Sequence, residues 1–151
     1  MEMSASYLEV TDSTPSRSLS IDELEVGFSV VQKFVFGAEQ LSDFKKLAND
    51  RAPIHADKSV AQKAGFDAPI IQGLALAVRF SRLIGMYLPG ERAILEKIEL
   101  KYKVPVFAGQ ELVYTCSVAR MLRPLQVVEM SLAIAAEGKD CVTGRCQCVL
   151  R

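Results

Sequence analysis

The sequence predicts an α+β fold in which a curved antiparallel sheet wraps around a long central helix. Two observations carry this expectation. The stretch Gly73 to Leu88 (GLALAVRFSRLIGMYL) is apolar nearly all round, with Arg79 and Arg82 its only charges, which is the composition of a helix enclosed on most of its sides. One strand-like run precedes it and four follow. A lone apolar helix with a single sheet to pack against is expected to be wrapped by that sheet.

The elements follow in order. Met1 to Ser20 is rich in Ser and Thr without sustained periodicity and is expected to be a loose N-terminal arm outside the core, with residues 21–151 as one domain. Gly27 to Phe36 (GFSVVQKFVF) is rich in Val and Phe and reads as the first strand. In Ala38 to Asn49, Leu41, Phe44, Leu47 and Ala48 recur at helical spacing, predicting a short amphipathic helix that Pro53 prevents from continuing. Asp57 to Ala64 reads as a further helical turn, with Asp57 as N-cap and Gly65 as its stop. After the central helix and Pro89-Gly90, Ile98, Leu100, Tyr102 and Val104 alternate with Glu99, Lys101 and Lys103, so one face is core and the other solvated or intersubunit. Leu112 to Met121, Val127 to Ala136 and Cys141 to Leu150 complete the strands. Arg123-Pro124 and a hairpin turn at Glu137-Gly138-Lys139-Asp140 separate them.

Composition narrows the function classes. A chain of 151 residues, half of them hydrophobic, has room for one core and one site. Eighteen basic residues balance eighteen acidic ones, so no overall field recruits nucleic acid or an anionic membrane. His55 is the only histidine and the four cysteines (Cys116, Cys141, Cys146, Cys148) lack zinc-site spacing, so no metal is expected. The first twenty residues hold no apolar run of signal-peptide length, and the longest apolar stretch, near Pro69 to Leu76, is too short to span a bilayer. A soluble, cytoplasmic protein with buried free thiols is the expectation.

Asn49-Asp50-Arg51-Ala52-Pro53-Ile54-His55-Ala56-Asp57 resembles the D-x-N-P-x-H motif of the MaoC-like dehydratases, the family of (R)-specific enoyl-CoA hydratases. Pro69-Ile70-Ile71-Gln72-Gly73 is similar to that family's P-I-V-H-G entry into its central helix. Leu88-Pro89-Gly90 resembles its L-P-G, and the segment through Lys103-Val104-Pro105-Val106-Phe107-Ala108-Gly109 resembles its F-x-x-P-V-x-x-G-D. Leu24-Glu25-Val26-Gly27 is similar to its L-x-V-G opening, so the likeness runs from about Ile21 to Leu150 in matching order. Two positions depart from the pattern: Ala52 stands at the usual Asn and Gln72 at the usual His. Both departures leave Asp50, His55 and Gly73 in place.

The resemblance implies a hot-dog fold, a homodimer with its active site at the subunit interface, and reversible hydration of trans-2-enoyl-CoA to (R)-3-hydroxyacyl-CoA in fatty acid metabolism. Coenzyme A enters only as part of the substrate, with no separate cofactor. Water addition needs a base, a proton source for C2 and stabilisation of the enolate oxygen. Asp50 and His55, five residues apart on a Pro-restricted loop, are placed to meet one water between them. By resemblance, that water supplies both the hydroxyl at C3 and, through the dyad, the proton at C2. A helix starting near Gly73 presents unpaired N–H groups and its positive dipole end, and without a Cβ the Gly73 backbone can approach a thioester oxygen. Gln72 is a substrate-binding candidate, and Ser81 and Ile84 resemble family positions near the end of the acyl pocket.

Plainer readings stand beside these. A histidine next to a proline can simply hold a loop, Asp50 can cap the turn that follows, and Gly73 can serve tight packing. Gln72 can hydrogen-bond its own loop. Arg79 and Arg82 suit coenzyme A phosphates, a solvated helix edge or an intersubunit pair equally well. Thioester hydrolysis, which related hot-dog proteins perform with an acidic residue on the central helix, is disfavoured because no Asp or Glu lies between Gly73 and Gly90. A catalytically decayed acyl-thioester-binding protein, or a specialised dehydratase for an unusual acyl chain or a carrier-protein thioester, is compatible with Ala52 and Gln72.

Overall fold

The computed structural model describes residues 6–151. Strands β1 (Tyr7–Glu9), β2 (Ser29–Val35), β3 (Ala93–Tyr102), β4 (Glu111–Leu122), β5 (Val127–Ala136) and β6 (Lys139–Leu150) form one sheet in the order β1-β2-β4-β5-β6-β3. Helices α1 (Ala38–Ala48), α2 (Lys58–Lys63) and α3 (Gly73–Arg82) lie between β2 and β3 in sequence. The pairs among β2 to β6 are antiparallel, as expected, whereas β1 runs parallel to β2, so the sheet is mixed. The β5–β6 turn falls on Glu137 and Gly138, both with positive φ (51° and 75°), the hairpin turn whose backbone twist suits antiparallel strands.

Alternation decides which face of each strand is covered. In β4, Leu112, Tyr114, Cys116 and Val118 point inward and are buried; in β5, Met130, Leu132 and Ile134 do the same. They meet Ala75, Leu76 and Phe80 of α3, and the Phe80 and Tyr114 rings pack edge to face with centroids 5.3 Å apart. Each such large apolar side chain contributes roughly 1.5–3 kcal/mol relative to exposure. The Tyr114 hydroxyl donates to Leu76 O at 2.8 Å, which satisfies the polar tip inside the core. All four cysteines are buried free thiols, as anticipated.

Three features depart from expectation. The N-terminal arm, expected outside the core, joins the sheet: its residues 1–5 lie outside the described residues, but Tyr7–Glu9 pairs with β2 and Val10 is buried at 2% exposure. The reason is the edge of β2, whose backbone groups β1 satisfies, and the Arg82 guanidinium, which donates to Thr11 O and Asp12 O at 3.3 and 3.4 Å. The central helix is α-helical only to Arg82. It then widens into a π-turn over Leu83–Tyr87, closed by Leu88 N–H to Leu83 O at 2.9 Å.

The third departure concerns enclosure. The central helix is covered on one side only: Leu74 and Val78, one turn apart, are 73% and 50% exposed. Likewise β3 forms the expected strand but ends the sheet, so the expected core face is not covered: Leu100 packs on the core, whereas Ile98, Tyr102 and Val104 remain 39%, 45% and 47% exposed. Among the described residues, no helix is long and apolar enough to cross a membrane.

Candidate active site

The loop between α1 and α2 is shaped by its own residues. Asn49 adopts the left-handed conformation (φ 52°, ψ 27°) and ends α1, a conformation its short amide side chain tolerates better than most. Asp50 follows, and its Oδ1 accepts the Ala52 N–H at 3.0 Å, locking the turn. Pro53 then opens a single 3-10 turn, Pro53–His55, which brings His55 back over Asp50. Asp57 caps α2 as predicted, its Oδ1 accepting from Ser59 N–H at 2.8 Å and Val60 N–H at 3.3 Å.

The segment entering α3 is stitched to that loop. Ile70 N–H donates to Ile54 O at 3.3 Å, and Ile71 N–H donates to Val106 O at 2.8 Å. Ile70 O in turn lies 2.8 Å from His55 Nδ1. A carbonyl oxygen can only accept, so Nδ1 carries the proton and neutral His55 presents a bare Nε2. That Nε2 stands 3.9 Å from Asp50 Oδ2, too far for a direct hydrogen bond. Two acceptors at this separation suit one bridging water, which has two protons to give. Both side chains are partly shielded, His55 at 17% and Asp50 at 37% exposure.

His55 borders two clefts. The first, of ≈ 380 Å³, is walled by Phe66, Gly73, Leu76, Tyr102 and Val104. The second, of ≈ 480 Å³, lies beneath α1 between Leu41, Lys45, Gln72 and Phe107. The structure therefore places His55 beside Asp50 and lets it share the first cleft with Gly73 and the second with Gln72, while Asp50 itself lines neither cleft. Gly73 is the first residue of α3, and the first intrahelical hydrogen bond is Leu76 N–H to Gln72 O, so the N–H groups ahead of Leu76 have no intrahelical acceptor. Gln72 is 8% exposed and borders the second cleft with His55.

Other candidates lie elsewhere. Ser81 is exposed and Ile84 is buried in the π-turn, and neither borders either cleft. Arg79 packs over the Phe34 ring at 4.0 Å and donates to Gln32 Oε1 at 3.0 Å, while Arg82 donates to the Tyr87 hydroxyl at 2.9 Å. Both guanidiniums hold the N-terminal segment and β2, not a cleft that His55 borders.

One neighbour was not singled out from the sequence. Tyr102, at the end of β3, lies against Gly73 and donates its hydroxyl to Gly73 O at 2.8 Å. Desolvation raises its pKa above the ordinary tyrosine value, so the donor stays protonated. Its only mark in the sequence was its place in the β3 alternation.

Comparison with known proteins follows the same lines. The profile of the MaoC like domain family matches residues 14–137. The chain is 32% identical over 120 residues to the (R)-specific enoyl-CoA hydratase of Aeromonas caviae, a match covering 80% of this chain and 90% of that protein. It is 33% identical over 98 residues to the mitochondrial 3-hydroxyacyl-(acyl-carrier-protein) dehydratase FERN of Solanum lycopersicum, covering 65% of this chain and 58% of that protein. The solved structure of the (R)-hydratase from A. caviae involved in PHA biosynthesis superposes with a TM-score of 0.80 at 32% identity, covering 85% of this chain and 98% of that one.

Proposed function

Because the chain belongs to the MaoC-like family and has its hot-dog fold, we propose that it is an (R)-specific enoyl thioester hydratase whose reverse reaction dehydrates 3-hydroxyacyl thioesters. The observation that carries this reading is the pair of acceptors, His55 Nε2 and Asp50 Oδ2, held 3.9 Å apart, with His55 bordering the cleft at the start of α3. A water donating one proton to each has its oxygen lone pairs free for C3 of the enoyl group. As the C3–O bond forms, one acceptor takes the proton and electron density moves through C2 to the thioester oxygen. The protonated dyad then delivers that proton to C2, so the whole water is added. Gly73 N–H is the donor aimed at the developing oxyanion, an interaction worth on the order of 10²–10³ in rate in comparable sites.

Coenzyme A belongs to the substrate, and this chemistry calls on no other group. The two clefts carry Lys103 and Lys45 as their only charged side chains, and Asp50 stands behind His55 and outside both walls. That lining suits a phosphate-bearing pantetheine arm, whether attached to coenzyme A or to a carrier protein.

A second copy of the chain completes the proposed assembly. The exposed Leu74 and Val78 of α3 and the unpaired edge of β3 leave apolar surface and free backbone groups next to the Tyr102 wall of the first cleft. Pairing of two such edges in a homodimer buries both.

The reading is tested by incubating the protein with trans-2-enoyl-CoA substrates from crotonyl-CoA upward and resolving the product on a chiral column. (R)-3-hydroxyacyl-CoA is expected; the (S) product, or free thiol from hydrolysis, overturns it.

A further inference from the structure

Tyr102 and Gly73 are fitted to each other. A Cβ built on Gly73 would lie 3.0 Å from Tyr102 Cζ and 3.1 Å from Cε1, so the ring occupies the space a side chain at 73 would fill. The hydroxyl, at the far end of that ring, reaches Gly73 O at 2.8 Å. Residue 102 sits on the sheet edge and residue 73 at the helix start. The contact therefore ties the Gly73–Leu74 peptide of α3 to β3 in addition to strand pairing and core packing.

The same peptide lies where donors matter. Gly73, Tyr102 and His55 border one cleft, and His55 is itself tied to the α3 entry segment through Ile70 O. An N–H at a helix start can swing with its peptide plane, since no preceding turn holds it. Anchoring the Gly73 carbonyl fixes the Gly73–Leu74 peptide plane, which carries the Leu74 N–H, and so restrains the backbone of Gly73, whose own N–H lies in the preceding peptide.

We infer that Tyr102 is a positioning residue for the proposed hydration, its hydroxyl holding the Gly73 carbonyl and so restraining the backbone of Gly73, whose N–H faces the reacting thioester oxygen beside His55. This rests on the reading of Asp50, His55 and Gly73 as the site. A fixed donor stabilises charge developing in the transition state without reorganising, which raises kcat and leaves substrate binding largely unaltered.

The test is Tyr102→Phe, which keeps the ring against Gly73 and deletes only the hydroxyl. Its control is Tyr114→Phe, which deletes the hydroxyl donated to Leu76 O further along the same helix, in the core. Hydration of an enoyl-CoA that the wild type turns over is measured with both, together with the affinity for the saturated acyl-CoA of the same length and the Tm. Tyr102→Phe is expected to lower kcat between about 10- and 100-fold, with KM and saturated acyl-CoA affinity within about twofold of wild type. Tyr114→Phe is expected to lower Tm and leave kcat unchanged. A Tyr102→Phe protein with wild-type kcat, or one whose kcat falls only as far as that of Tyr114→Phe, overturns the inference while the hydratase reading stands. A wild type inactive on every enoyl thioester overturns both.

Discussion

His55 Nε2 and Asp50 Oδ2 face each other across 3.9 Å because each is held from its other end. The imidazole is pinned through Nδ1 to Ile70 O, and the carboxylate through Oδ1 to Ala52 N–H. Both atoms left free are acceptors, so the loop spends two hydrogen bonds on presenting a pair that only a donor such as water can bridge.

This division of labour in His55 separates its structural from its catalytic part. In His55→Asn the amide nitrogen takes the place of Nδ1 and keeps the bond to Ile70 O, while Nε2 is lost. Enoyl-CoA hydration is expected to fall by about 10²–10⁴ in kcat, the usual share of general acid–base catalysis. Calorimetry is expected to show a Tm close to wild type, whereas His55→Ala lowers both.

Gly73→Ala tests the fit at the helix start. Alanine favours a helix interior by up to ~1 kcal/mol over glycine, and the smaller gain at this first helical position offsets part of the cost of crowding Tyr102. The new Cβ, 3.0 Å from Tyr102 Cζ, displaces the ring and its hydroxyl from the first peptide. Steady-state kinetics are expected to show kcat reduced by at least about tenfold with Tm lowered by no more than a few degrees; a wild-type kcat contradicts the fit.

Asp57 gives a pH prediction for the fold. Hydrogen bonds from the Ser59 side chain, the Val60 N–H and the Ser59 N–H hold its pKa below the ordinary aspartate value of 3.8. A carboxyl with a depressed folded pKa contributes stability that is fully present above its unfolded pKa and is lost as pH falls through the folded one. Asp57→Asn keeps the capping oxygen and removes the charge. Its Tm is expected to lie below wild type by a constant margin at neutral pH, and the margin to close only as the pH drops below about 3.8.

How far the sequence foretold this molecule depends on the range of the interactions. Local chemistry was legible: Pro53 between Asp50 and His55, the Asp57 cap and the Glu137-Gly138 turn all act within a few residues. Strand β1 was not, because three residues amid Ser and Thr carry no period and its partner is the distant edge of β2. The π-turn was hidden because Leu83 to Tyr87 are apolar whichever helical pitch they adopt. Tyr102 and Gly73, 29 residues apart, meet only once β3 closes the sheet. Leu74 and Val78 read as core because hydrophobicity does not say whose surface will cover it.

That last point carries a prediction about assembly. Replacing both Leu74 and Val78 by Glu puts charge on the exposed face of α3 without disturbing Ala75, Leu76 or Phe80, which face the sheet. Sedimentation velocity is expected to show a dimer for wild type and a folded monomer for the double variant. A wild type that sediments as a monomer while turning over substrate contradicts the proposed pairing.

The most direct measurement compares wild type with the Asp50→Ala, His55→Ala double variant in hydration of crotonyl-CoA and longer enoyl thioesters, followed by loss of the enoyl absorbance. Water held between two acceptors predicts turnover by the wild type and a rate lower by at least about 10³ in the double variant. Equal rates for the two proteins, on any substrate that either accepts, would contradict it.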